Sequence, residues 1–152
     1  MNVKEYLHEI YAIDVKIKQK KYEYRTLQEL NTGVSAVDYS KVRAQNTERS
    51  ASFTKHSDKV LDMFYELQEE CVRFNQIRHE RIEEIQNMKK VEHIDILFKR
   101  FVEYKSVECI AKEMNYTYKY TSKLLNLALK AFEIQYMDKL NEYRMSCESK
   151  AS

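Results

Sequence analysis

The chain has 152 residues, no proline, one glycine (Gly33), and 26 basic against 24 acidic side chains, for a formal net charge of +2. A β-protein of this length needs several Gly or Pro turn residues, so no sheet is expected, and a charge this near neutrality gives no overall bias towards nucleic acid. A chain 43% hydrophobic and 33% charged suits elongated helices with wet outer faces, and twelve Tyr and six Phe carry too much aromatic surface for disorder.

The chain opens Met1-Asn2-Val3-Lys4-Glu5 with no apolar run behind it, so no signal peptide is expected, and no stretch of 18 apolar residues predicts a transmembrane helix. Cys71, Cys109 and Cys147 lie far apart and fit no metal spacing, which suits free thiols in a reducing cytoplasm.

From 3 to 30, Tyr6, Ile10, Ile13, Ile17, Lys20, Tyr24 and Leu27 alternate spacings of four and three, the mark of one helical seam. Asn2 with Glu5 reads as a capping pair, Asn31-Thr32-Gly33 as the stop, and Lys20 as a break in the seam that snorkels or sets register. Lys16, Lys18, Lys20, Lys21 and Arg25 spread around this helix and read as a solvated surface rather than a phosphate stripe. A polar stretch follows over 34–57, rich in Ser, Thr, Asn, Lys and Arg, and reads as a long loop.

The second helical stretch covers 58–88. Val60, Phe64, Leu67, Cys71 and Phe74 keep the four-three spacing, and Ile77, Ile82, Ile85 and Met88 follow with a slip in phase. Two such helices zip antiparallel, and since a lone pair leaves apolar surface wet, a homodimer is expected. His8, His56, His79 and His93 are scattered. His79 with Glu80, Glu83 and Glu84 has the spacing of a carboxylate–histidine site, yet Arg78 and Arg81 interleave with it, so the segment reads as a solvated charged face. One glycine allows no phosphate loop, and no nucleophile sits beside a base, so neither enzyme, cofactor nor metal is expected.

The segment Lys105 to Phe132, KSVECIAKEMNYTYKYTSKLLNLALKAF, is the most informative. Ser106 can cap a short helix with Glu108 in its first turn, and Ile110, Ala111 and Met114 face inward. Ala111 permits a steep, close helix crossing. Asn115 stands where a tight turn needs a left-handed residue, Tyr116 is an apolar plug, and Thr117 caps the next helix, whose inner face is Thr121, Leu124 and Ala128. This is the steric pattern of a helix-turn-helix; an ordinary αα-hairpin is the alternative.

The outer face separates the two. From Thr117 to Ala131 there are three lysines, Lys119, Lys123 and Lys130, and no acidic residue. Tyr118, Lys119, Ser122 and Lys123 project from the first two turns, those that enter the major groove in a helix-turn-helix. Lys119 and Lys123 suit phosphates or guanine edges, Ser106, Thr117 and Ser122 suit phosphates, and Tyr118 suits sugar or a thymine methyl. The blander alternative is a solvated basic face, and Tyr118 and Tyr120 equally suit a protein contact.

IAKEMNYTYKYTSKLLNLALKAF resembles region four, the C-terminal domain of bacterial sigma factors, without gaps through Ile110-Ala111, Thr117 and Ala128-Leu129. The whole chain resembles a family of small phage and prophage proteins of Gram-positive bacteria, related to the ArpU-like late-transcription regulators. The matching pieces are Lys4-Glu5-Tyr6-Leu7, the loop around Asp38-Tyr39-Ser40, and Glu108 to Met114 with Tyr116. By position the base-contacting sites fall on Tyr118, Lys119, Ser122 and Lys123. Sigma factors favour Arg and Glu at the first two and Arg and Gln at the others, so the resemblance implies DNA binding and leaves the target sequence open.

The expectation is therefore an all-α chain: a helical hairpin over 1–90, a region-four-like helix-turn-helix domain over 91–145, and a flexible tail at 146–152. Its expected role is a transcription regulator in the cytoplasm of a bacterial host. Its expected partners are double-stranded DNA, a second copy, and RNA polymerase or another protein. The alternative is a helical protein-interaction module that does not read DNA.

Overall fold

A computed structural model of the chain describes residues 2–35 and 48–151, with side chains over 2–30 and 58–151. Six helices occur among the described residues: α1 Val3–Ser35, α2 Glu48–Gln86, α3 Val91–Phe101, α4 Val107–Met114, α5 Tyr118–Gln135 and α6 Met137–Ala151. No strand occurs among these residues, so the protein is all-α.

The chain divides into two compact units, one of Met1–Asp14 with Ile77–Ser152 and one of Val15–Gln76. This division differs from a boundary near residue 90, because the first turns of α1 carry more apolar surface than one seam. Val3 and Leu7 are buried beside Tyr6 and Ile10, and all four join Ile85, Met88, Ile96, Leu97, Phe101, Ile110, Ala128, Phe132 and Leu140 in one core. The first unit is thus built from both ends of the chain.

Within it, α1 and α2 pair in opposite directions. Tyr6 Oη donates to Glu84 Oε2 at 2.9 Å, Arg81 Nη2 bridges to Glu9 at 3.2 Å, and Arg78 Nε to Asp14 at 2.5 Å. The segment 78–84 is therefore not simply a solvated charged face. His79, Glu80 and Glu83 are exposed, but Arg81 is half-buried and Glu84 is only 5% exposed. The apparent phase slip has the same cause. Seam positions after Phe74 fall at 78, 81, 85 and 88, and the two arginines occupy the first pair because acids on α1 face them. The Arg81 guanidinium also stacks on the Tyr6 ring, 4.0 Å from its centroid.

In the second unit Tyr24 meets Phe64 with ring centroids 4.8 Å apart, and Lys16 lies over Phe74 at 5.6 Å. Lys20 is bonded to Glu70 at 2.9 Å and Glu23 at 3.3 Å, which together hold its ammonium above the ordinary lysine range. It thus ties the two helices rather than reaching into water. Lys18, Lys21 and Arg25 are exposed, as a solvated surface requires.

Three helix ends differ from the sequence reading. α1 continues through Asn31-Thr32-Gly33 to Ser35, since a glycine with negative φ only weakens a helix, by about 1 kcal/mol. α2 starts at Glu48, so 48–57 of the expected loop are helical, while 36–47, including Asp38-Tyr39-Ser40, lie outside the described residues, as does the His56 side chain. At the other end α6 carries helix through 146–151, where a flexible tail was expected. Among the described residues no helix is long and apolar enough to cross a membrane.

Candidate nucleic-acid interface

The candidate surface belongs to the first unit and is built on α4 and α5. Ser106 caps α4, its Oγ accepting from the Cys109 N–H at 3.3 Å, and Glu108 lies in the first turn. The helix stops at Asn115, which takes φ 56° and ψ 39°, a left-handed conformation that Asn reaches more cheaply than other residues with a Cβ. Its N–H bonds Lys112 O at 3.3 Å, and the next N–H, of Tyr116, bonds Ala111 O at 2.9 Å. The two bonds together make a Schellman cap, which reverses the chain within one residue.

Thr117 then caps α5, accepting from the Tyr120 N–H at 3.2 Å. Only Asn115, Tyr116 and Thr117 separate the two helices. Ile110 and Ala111 of α4 are buried, with Thr121, Leu124, Leu125, Ala128, Leu129 and Phe132 of α5. Thr121 stays satisfied at full burial by donating from Oγ1 to Thr117 O at 2.9 Å. α5 packs most extensively on α3, through the core that Ile96, Leu97 and Phe101 share with it. Periodicity between 105 and 132 had no means of showing this third helix.

The turn before α4 is also fixed. Tyr104 adopts φ 58°, and its ring packs edge-on to Tyr11, centroids 5.1 Å apart, while its hydroxyl donates to Asp14. A left-handed tyrosine costs about 1–2 kcal/mol, so these contacts hold the turn against its own preference. Burial, and next the Asp14 carboxylate, push its phenol well above the usual range.

Charge is unevenly distributed. Around the turn from α3 to α4 two lysines are paired, Lys99 of α3 with Asp95 at 2.8 Å, and Lys105, ahead of α4, with Glu103 at 2.6 Å and Glu113 at 2.9 Å, whereas Lys112 of α4 is exposed without an ion-pair partner among the described residues. Glu103 and then Glu113 hold Lys105 above its ordinary range, and Lys105 holds the Glu113 carboxyl below its own. On α5 the pattern reverses. Lys119, Lys123 and Lys130 are exposed, and among the described residues none of them has an ion-pair partner. They follow spacings of four and seven, so they lie along one side of the helix.

Tyr118, Lys119, Ser122 and Lys123 line a single shallow depression on that side together with Asn126, Leu127 and Lys130. The structure therefore brings four of the six candidate residues together. Ser106 and Thr117 are exposed cap residues whose hydroxyl oxygens each already accept a backbone N–H, and neither lines the depression. Asn126 and Leu127 were not singled out in the sequence. The signal was there, because 126 falls three beyond Lys123 and four before Lys130, but the pattern of a groove-entering helix points to its first two turns and not its third. No group of three His, Cys, Asp or Glu able to hold a metal ion occurs among the described residues, and His79 makes only an exposed contact with Glu83 at 3.4 Å.

Compared with protein-family models, with curated proteins and with solved structures, the chain matches none of them.

Proposed function

We propose that the chain is a phage-type transcription regulator that sets α5 in the major groove of double-stranded DNA. The observation that carries this reading is the row Lys119, Lys123, Lys130 on the second helix of a tightly turned pair: exposed, without ion-pair partners among the described residues, and with no acidic residue from Thr117 to Ala131, the first acid of α5 being Glu133, which pairs with Arg144. A face evolved only for solubility is expected to mix signs, as α3 and α4 do. Ammonium groups one helical turn apart neutralise successive phosphates, and the Tyr118 ring packs on sugar or a thymine methyl. The second unit supplies self-association or a polymerase contact, supported by the exposed Leu61, Tyr65 and Val72 on α2, spaced four and seven apart. The likeness to region four and to the ArpU-like regulators supports a role in the cytoplasm of a bacterial host, and not a catalytic one.

Fluorescence anisotropy with labelled duplex fragments across a salt series tests the proposal. Sub-micromolar binding at about 50 mM salt that falls steeply as salt rises supports it. The Lys119→Ala, Lys123→Ala double variant is expected to lower the log–log salt slope by about 1.8, at about 0.9 for each phosphate that is no longer neutralised. Unchanged affinity and slope in that variant would falsify this mode of binding.

A protein-interaction module is the second reading, favoured by apolar surface on the same helix: Tyr118, Tyr120 and Leu127 are about half exposed, and Ile134 is 75% exposed. Co-purification of a protein partner that duplex DNA does not displace favours it.

A further inference from the structure

We infer that Asn126 is the residue through which α5 discriminates between bases, and that the base it selects is adenine in an A·T pair. The inference rests on the DNA-binding reading above and adds to it a residue and a base. Asparagine is a poor choice for the exposed middle of a helix, costing roughly 0.5–0.7 kcal/mol against alanine, partly because its amide competes for backbone groups. Asn75 on α2 shows the usual outcome, its Nδ2 donating to the carbonyl of Cys71 one turn back at 2.8 Å. Asn126 is exposed, and among the described residues its amide makes no such bond, so donor and acceptor both point outward unspent.

Its chemistry is the only one of its kind on the face. Lys119, Lys123 and Lys130 offer donors alone, and Ser122 and Tyr118 offer single rotatable hydroxyls. A side-chain amide holds one donor and one acceptor in a plane, which matches adenine N7 and N6–H₂ in the major groove in one bidentate contact. Neighbouring Leu127, 48% exposed, supplies the apolar contact that a thymine methyl takes. The placement agrees with duplex geometry. Three residues of helix separate Lys123 from Asn126, a rise of about 4.5 Å, close to one base-pair step of about 3.4 Å. Lysines on either side then fix position on the backbone while the amide reads the edge between them.

The test is selection from a random duplex library with the full chain and with Asn126→Ala, followed by titration of the selected duplex. The wild type is expected to select at least one fixed A·T pair. Asn126→Ala is expected to lose preference at that pair by about 5- to 150-fold, the range for one bidentate contact, with an unchanged salt slope. Replacing the selected adenine by 7-deaza-adenine, which removes N7, weakens the wild type and leaves Asn126→Ala unaffected. If Asn126→Ala selects the same sequence with the same preference, or responds to 7-deaza-adenine as the wild type does, the inference fails while DNA binding stands. If the wild type binds no duplex with salt-dependent affinity, the DNA-binding reading fails and the inference with it.

Discussion

Removing the Glu84 carboxylate is expected to destabilise the first unit by about 3 kcal/mol. Glu84 is 5% exposed and accepts from Tyr6 Oη at 2.9 Å and Lys139 Nζ at 3.1 Å, with Arg81 Nη1 at 3.7 Å. In Glu84→Ala the Tyr6 hydroxyl, on a residue 2% exposed, loses its acceptor, which costs about 1–3 kcal/mol. Arg81, whose Nε already lacks a hydrogen-bond partner, keeps only Glu9. Breaking a buried pair from one side costs about 3–5 kcal/mol, and the low end applies because the Lys139 side chain, 59% exposed, returns readily to water. Hydrogen exchange at the amides of Leu124 to Phe132 is the appropriate assay, since these lie in the first unit and report its opening without averaging over the second. Tyr6→Phe in the same assay, combined with Glu84→Ala in a double-mutant cycle, should show a coupling of about 1–2 kcal/mol. A loss below about 1 kcal/mol in Glu84→Ala, or no coupling, would mean that water satisfies the cluster and that the packing around it carries the unit.

Two further outcomes follow from single positions. Asn115→Ala should cost about 1 kcal/mol in thermal or urea unfolding, because alanine pays the left-handed penalty, while Asn115→Gly should be neutral or stabilising; equal losses would mean that the side chain, not its φ, matters. Burial, and next the Glu9 carboxylate, push the Tyr143 phenol up to about 12, above its unfolded value near 10. Its contribution is therefore whole below pH 10 and lost as pH climbs from 10 to 12, so Tyr143→Phe should lose stability less steeply through that window in an alkaline titration.

The local chemistry of α4 and α5 was legible residue by residue: Ser106 and Thr117 cap, Asn115 turns left-handed, and Ala111, Thr121 and Ala128 are buried. Each of these follows from sterics within a few residues, where sequence is most informative. What escaped were contacts across long separations. Nothing local marks Val3 and Leu7 as sharing a core with Phe132, or Arg81 and Glu84 as turned inward, because a charged residue counts as surface until its partner is known. The reach of α1 past Gly33 escaped for a different reason, a weak stop signal read as a strong one. On the candidate face Lys119 and Lys123 stood out by sign, whereas Asn126 is unremarkable until its amide is seen to have no partner among the described residues.

α5 divides its labour by side. Thr121, Leu124, Leu125, Ala128 and Phe132 are committed to the core, whereas Tyr118, Lys119, Lys123 and Asn126 are exposed. Substitutions on the outer row should therefore change stability little, within about 0.5 kcal/mol for Lys119 and Lys123 and by a gain of about 0.5–0.7 kcal/mol for Asn126→Ala. Such a helix is an exchangeable cassette: its outward side chains can be replaced without disturbing the packing of Thr121, Leu124, Ala128 and Phe132 beneath them.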